Sequence, residues 1–197
     1  DKDPVEASTR EQFAFAPGGV VAIVDSFGVL SIEGWDRPDV EVWVTKKTRK
    51  EYTDPGKGVE ELDRVVVTPV KESDARFVVT TEFPSRNLFT RPLRGKTNVE
   101  LEYKIRVPRY SSLHIKHDIG EVRIKDVAGS INATARIGEL SLTLPDGDYH
   151  IDARKRIGEV SSDFLSVPGA TRQLYLRLGI GEINIRRMKP ASPPHTD

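Results

Sequence analysis

One short motif recurs down the second half of the chain and limits what the chain can fold into. Ile119-Gly120-Glu121-Val122 returns as Ile137-Gly138-Glu139-Leu140, then as Ile157-Gly158-Glu159-Val160 and as Ile180-Gly181-Glu182-Ile183, at intervals of 18, 20 and 23 residues. Phe27-Gly28-Val29-Leu30-Ser31-Ile32 is an earlier and looser copy. Between the glycines lie short runs in which apolar and polar residues alternate, which puts one set on a buried face and the other in water. A glycine at each boundary lets the chain take positive φ without a Cβ clash. Arg136-Ile137-Gly138-Glu139 and Arg156-Ile157-Gly158-Glu159 fit a type II turn with glycine third. Such a turn splays its flanking strands, which favours a corner over a hairpin. Short strands, a corner every nine to twelve residues and self-similarity near 20 residues are expected of stacked coils. The expected fold class is all-β: a β-solenoid of stacked short strands with one short helix in the N-terminal half. An antiparallel sandwich also gives strands at this spacing, but it does not require the same Ile-Gly-Glu four times.

The first half reads as strands of a different kind. Gln12 to Val24 divides into two strands at Gly18-Gly19, and Phe27 to Ile32 forms the next. Val40 to Thr45 alternates cleanly, and the basic run Lys46-Lys47-Thr48-Arg49-Lys50 leaves that strand. Val59, Leu62 and Val66 have helical spacing. Val65 to Val70 and Arg76 to Phe83 read as a strand pair, and Val99 to Val107 is the most regular strand, ended by Pro108. Residues 84–97 are the longest irregular stretch. The expected organisation is a flexible segment over 1–12, a single solenoid-like domain over 13–188 and a Pro-rich tail over 189–197. Within the domain, 13–110 is the strand-rich part and 111–188 the Gly-Glu array.

Composition excludes several classes. Lys plus Arg and Asp plus Glu number 30 each, and phosphate affinity needs a basic excess, so no nucleic-acid partner is expected. There is no cysteine, hence no thiolate nucleophile and no Cys-bound metal. No run of 18 apolar residues occurs, so no membrane-spanning helix is expected. The first residue is Asp1, read as a mature or trimmed form whose signal or anchor lies outside this chain.

Three constellations carry candidate chemistry. Glu121, Glu139, Glu159 and Glu182, if they share one corner of successive coils, stack about 4.8 Å apart and repel. A cation or cationic partner would offset this, as would pairing with Arg136, Arg154, Arg156, Arg177 or Arg186. Two basic segments are the best interaction candidates: Lys46, Lys47, Arg49 and Lys50, and Arg86, Arg91, Arg94 and Lys96 with Phe89 able to insert. They suit an anionic lipid, lipopolysaccharide or wall polymer, unless Glu60, Glu61 and Asp63 balance them. His114 and His117 are two surface histidines that point to opposite faces of a strand, so they make no metal site, and no cofactor is expected. Trp35 and Trp43 read as core or corner packing. Paired-carboxylate polysaccharide cleavage is the enzymatic alternative, but no nucleophile elbow, phosphate loop or His-Glu metal motif supports an enzyme.

The glycine-rich corner followed by Gly34-Trp35-Asp36, the alternating strand after it, Val99 to Pro108 ending in Val-Pro, and the Gly-Glu-hydrophobic corners together resemble the bacterial "putative adhesin" or toast-rack β-solenoid domain over about 13–185. The resemblance implies an extracytoplasmic protein of the bacterial cell envelope, periplasmic, secreted or on the cell surface, with no established catalytic activity and no functional residues to carry over. The expected role is a non-catalytic, adhesin-like binding or scaffold module. Its partner would be an envelope component or envelope protein, with a homodimer through an open solenoid edge as a further expectation.

Overall fold

A computed structural model of the chain describes residues 2–83 and 98–190. Its architecture is all-β, with eleven strands and one short helix among the described residues. Four long strands carry the repeat: β8 (Ser112–Lys125), β9 (Ile131–Leu144), β10 (Tyr149–Ser162) and β11 (Arg172–Arg187). Each runs through its own Ile-Gly-Glu without a break. The strands pair in parallel, in a register that sets Gly120 beside Gly138, Gly138 beside Gly181 and Gly181 beside Gly158. The glycine φ angles are +124°, +144°, +138° and +132° in the order of that column, Gly120, Gly138, Gly181, Gly158, far from the roughly +80° of a type II turn. The expected turn is therefore replaced by a bend inside a continuous strand. Hydrogen bonds to parallel neighbours persist on both sides of the bend, so the chain has no need to close on itself.

The glycines are required by close approach as well as by φ. A Cβ on Gly138 would collide with the carbonyl oxygen of Gly120, one on Gly181 with that of Gly138, and one on Gly158 with that of Gly181. The column has a fifth member in the looser early copy. A Cβ on Gly120 would strike Gly28 O, and Gly28 N donates to Ile119 O at 2.8 Å. Strand β2 (Val20–Ser26) pairs with the first half of β8 and β3 (Val29–Trp35) with its second half. Together they mimic one bent strand, interrupted at Phe27-Gly28.

The order of stacking departs from chain order. The neighbours run β8-β9-β11-β10, so the fourth copy of the motif sits between the second and the third, and the expectation of successive coils is corrected. Apolar content explains the exchange. In β11, Leu174, Leu176, Leu178, Ile183 and Ile185 are all buried and need a neighbour on each side. In β10, Arg154-Lys155-Arg156 suits an edge strand, where charge discourages pairing with another chain. Residues 163–171 carry the chain back past β10 and cover the start of that edge. Phe164 packs edge-on against Tyr149 with ring centroids 5.0 Å apart, Val167 N donates to Tyr149 O at 2.8 Å, and Ile151 N donates to Ser166 Oγ at 2.9 Å.

The N-terminal half extends the same sheet. β1 (Asp3–Ala14) is antiparallel to β4 (Asp39–Tyr52), β4 is antiparallel to β7 (Val99–Pro108), and β7 is parallel to β3. On the other side β6 (Arg76–Glu82) is parallel to β2 and antiparallel to β5 (Val66–Ser73). The stretch expected to be loose up to residue 12 is thus a paired strand. β4 also continues past Thr45, so Lys46 to Lys50 lie within it. The helix α1 spans Pro55–Asp63, starting earlier than expected because Asp54 caps it by accepting from Gly56 N at 2.9 Å and Pro55 opens its first turn. Its buried residues are Gly58 and Leu62, whereas Val59 is exposed. Gly58 packs closely on Val5, where a Cβ would collide. One contiguous apolar cluster runs from Phe15 to Ile185, with the Tyr103 hydroxyl hydrogen-bonded to Thr81 Oγ1 at 2.6 Å inside it.

Two alanine substitutions separate close approach from φ. Gly18 has φ +91° and open space around its Cβ position, whereas Gly138 has φ +144° and a blocked one. Gly18→Ala is expected to cost about 1–2 kcal/mol, the left-handed penalty alone. Gly138→Ala is expected to cost more than about 3 kcal/mol, because backbone strain and a backbone collision add. Urea unfolding of both variants checks this.

Candidate functional site

Every second residue of β1, β4, β7, β3 and β8 points out of the sheet, and the register lines those residues up in rows. One row runs Arg10, Trp43, Lys104, Ser31, Arg123, each beside the next. The row beside it runs Glu41, Arg106, Glu33, Lys125. Together they line a groove of about 590 Å³. Trp43 is 39 % exposed in the middle of a strand, so it does not provide the core or corner packing expected of it. Its ring lies 5.7 Å from the Arg10 guanidinium and 5.4 Å from the Lys104 ammonium, a cation–π arrangement on each neighbouring strand. Trp35 does sit at a corner, donating from Nε1 to Asp39 O at 2.8 Å, with Arg106 5.4 Å and Arg37 4.9 Å from its ring.

The groove's charges are unevenly paired. Arg10 Nη2 lies 3.0 Å from Glu41 Oε2, and Arg123 clasps Glu121 from two residues along the same strand, with Nη2 at 2.7 Å from Oε2. Lys104 reaches Glu102 only at 3.8 Å. Among the described residues Arg106 and Lys125 form no ion pair, and Glu33 lies in register between them beyond ion-pair distance. The lining holds five cations, Arg10, Lys104, Arg106, Arg123 and Lys125, against Glu33 and Glu41. This local excess exists in a chain whose formal net charge is zero.

The glutamate column forms in the order Glu121, Glu139, Glu182, Glu159. At Glu121 and Glu139 the repulsion is relieved by Arg123, Ser141 and Asn184 rather than by the arginines expected. The Arg123 hydrogen bond holds the Glu121 carboxyl below its usual range. Glu139 accepts from Ser141 Oγ at 2.9 Å and from Asn184 Nδ2 at 3.1 Å. Of the predicted partners, Arg136 goes to Asp118, Arg154 and Arg177 to Asp152, and Arg186 to Asp163. Among the described residues no three acids or histidines converge on a metal position.

The basic segment of β4 is divided by the alternation of the strand. Lys46 turns inward, donating to Leu62 O and Val65 O at the end of α1, and burial pulls its pKa down against the pull of Asp63. Lys47 stands in register between Glu6 and Glu100. With Arg49 it lines a second groove of about 530 Å³ in which Glu6, Glu100 and Glu102 outnumber the two bases. Lys50 is exposed. Of the expected balancing acids Asp63 acts on Lys46, while Lys47 and Arg49 face acids on β1 and β7 in place of Glu60 and Glu61. Arg86, Phe89, Arg91, Arg94 and Lys96 lie outside the described residues. The cationic face that the sequence did not single out is the Trp43 groove. Its outward residues were legible strand by strand, but the pairing of β4 with β7 and of β7 with β3 was not.

No family model and no curated protein matches the chain. Solved bacterial structures similar to it carry adhesion names. One is a "putative cell adhesion protein" from Clostridium sporogenes, 14% identical, with a TM-score of 0.47 over 92% of this chain and 100% of that one. Another is a "putative adhesin" from Parabacteroides distasonis, 14% identical, TM-score 0.31, covering 91% of this chain and 65% of that one. A third, a "putative adhesin" from Bacteroides fragilis, is 10% identical with a TM-score of 0.28 over 92% and 97% of the two chains. At these scores and identities the likenesses assign neither a site nor a ligand. No helix of the described residues is long and apolar enough to cross a membrane.

The two histidines of β8 do point to opposite faces, and only one is at the surface. His114 is exposed and His117 is 3% exposed. His117 Nε2 lies 3.0 Å from Gly28 O, which only accepts, so Nε2 carries the proton; Nδ1 then accepts from the Ser26 hydroxyl at 2.8 Å. Burial lowers its pKa to about 4, against the Gly28 hydrogen bond and the nearby Asp118 charge, which favour the cation. The unfolded chain takes up this proton near pH 6.5 and the folded chain only near 4, so the unfolded state binds more protons in between and acid weakens the fold there. Between pH 7 and pH 5 this residue is expected to remove about 2 kcal/mol of stability. In His117→Gln, less stable overall, the loss over the same interval shrinks by that amount. Urea unfolding at both pH values measures it, and equal losses in the two proteins would contradict the assignment.

Proposed function

We propose that this chain is a non-catalytic, adhesin-like binding module of the bacterial cell envelope. In this reading a solenoid-like scaffold over residues 13–188 presents one open sheet face to an extended partner. The observation that carries it is the groove built from outward side chains of five strands, with Trp43 exposed between cations on the two strands beside it. A site made of rows across strands belongs to the rigid part of the fold rather than to loops, which suits sustained contact more than induced closure. Repeat scaffolds expose long regular faces of this kind to extended partners. The partner class is an envelope component: anionic lipid, wall or surface polymer, or an envelope protein. The place of action is extracytoplasmic. The part of the β10 edge beyond residue 151 offers a second contact, through which two copies could meet, with Ile157 and Val160 exposed there.

Co-sedimentation of the purified chain with separated bacterial membrane and cell-wall fractions, at low and high salt, tests this. Pelleting with one fraction, weakened by salt because exposed charges are screened, is the expected result. Equal recovery in the supernatant with and without both fractions would overturn it.

A further inference from the structure

The Trp43 groove has a composition that narrows its ligand. We propose that it recognises an acidic polysaccharide, a polymer of sugar rings bearing carboxylates, laid across β4, β7, β3 and β8. This rests on the envelope-binding reading and deepens it. Trp43 offers an exposed indole on a sheet face, a surface on which the C–H face of a sugar ring can pack while its polar edge meets donors. Lys104 and Arg106 stand two residues apart on β7, and Arg123 and Lys125 two apart on β8. The two cation pairs are separated by β3, hence by two strand spacings, roughly 10 Å. Between them stand Ser31 and Glu33, a hydroxyl and a carboxylate able to bond sugar hydroxyls. Arg106 and Lys125 have no ion-pair partner among the described residues, and Arg106 packs on the Trp35 ring at 5.4 Å with its charge unneutralised, so these two cations meet ligand carboxylates.

The alternatives fit less well on the same observations. A nucleic acid presents closely spaced phosphates and needs a continuous cationic track, which Glu33 and Glu41 interrupt. An anionic bilayer is approached by protruding basic and aromatic residues, whereas Trp43 lies within a groove between two cations. An acidic peptide would add to an edge strand through main-chain hydrogen bonds, whereas the groove presents side chains of the sheet face, of which only Arg10 belongs to an edge strand, β1.

The test is titration of the full chain with polygalacturonate, its methyl-esterified form and phosphatidylglycerol vesicles, at low and high salt. The esterified polymer keeps the rings and lacks the charge. Saturable binding of polygalacturonate, at least tenfold weaker for the ester, is the expected result. Trp43→Ala should weaken it tenfold or more. The doubly substituted Arg106→Gln, Lys125→Gln variant should weaken it several-fold and flatten its salt dependence. These two side chains are outside the core, so this variant tests the site even if Trp43→Ala folds poorly. Equal affinity for both polymers, stronger binding to vesicles, or unchanged affinity in the double variant would overturn the proposal. If the chain still pellets with a cell fraction while the groove variants pellet equally, the polysaccharide site falls and the envelope-binding reading stands.

Discussion

The structure depends on backbone touching backbone. Gly28, Gly120, Gly138, Gly181 and Gly158 form a column in which the α-carbon of each member after the first lies against the carbonyl oxygen of its neighbour. No side chain fits at those positions, and the glycines of the four full copies hold φ between +124° and +144°. The bend lets one strand serve two stretches of sheet, with β2 beside its first half and β3 beside its second. Because the bends are in register, the flanking residues are too. Ile119, Ile137, Ile180 and Ile157 make one column and the glutamates another. Buried rows such as Leu113, Ile131 and Leu174, and Val122, Leu140 and Ile183, follow from the same alignment.

Alternation then divides the molecule into a core and a working face. On β7, Val99, Leu101, Tyr103, Ile105 and Val107 are buried while Glu100, Glu102, Lys104 and Arg106 are exposed. The exposed residues are placed by the same register that packs the buried ones, so the groove inherits its precision from the core. A chain with no net charge thereby acquires a local cationic excess. Elsewhere opposite charges are set side by side across strands, as at Lys47 between Glu6 and Glu100.

Much of this was legible in the residues. The repeated Ile-Gly-Glu announced a recurring change of direction at one position, which the structure makes a bend within a strand and not the expected turn, and the alternation of Val99 to Val107 announced a strand with one buried face. Three features were not legible, for physical reasons. The pairing order places β11 between β9 and β10 because two faces of apolar residues compete for a central position, a comparison between distant strands rather than within one. Residues 3–14 look polar because β1 is exposed along most of its length, and its pairing with β4 joins backbone hydrogen bonds to polar side-chain contacts such as Arg10 with Glu41, which no apolar alternation reveals. His117 looked like its exposed neighbour because burial depends on Ser26 and Gly28, about ninety residues away in the chain. The groove was hidden for the first of these reasons: its residues come from five strands whose order the sequence does not spell out.

The order of the glycine column is the central claim, and the absence of native cysteine makes it directly measurable. Two double variants suffice: Glu139→Cys with Glu182→Cys, and Glu139→Cys with Glu159→Cys. Adjacent strands place paired α-carbons about 4.8 Å apart, within disulfide range, whereas two strand spacings exceed it. Mild oxidation of the folded protein should therefore close a disulfide in the first variant and not in the second. Closure in the second and not the first would show the repeats stacked in chain order, and would contradict the order β8-β9-β11-β10.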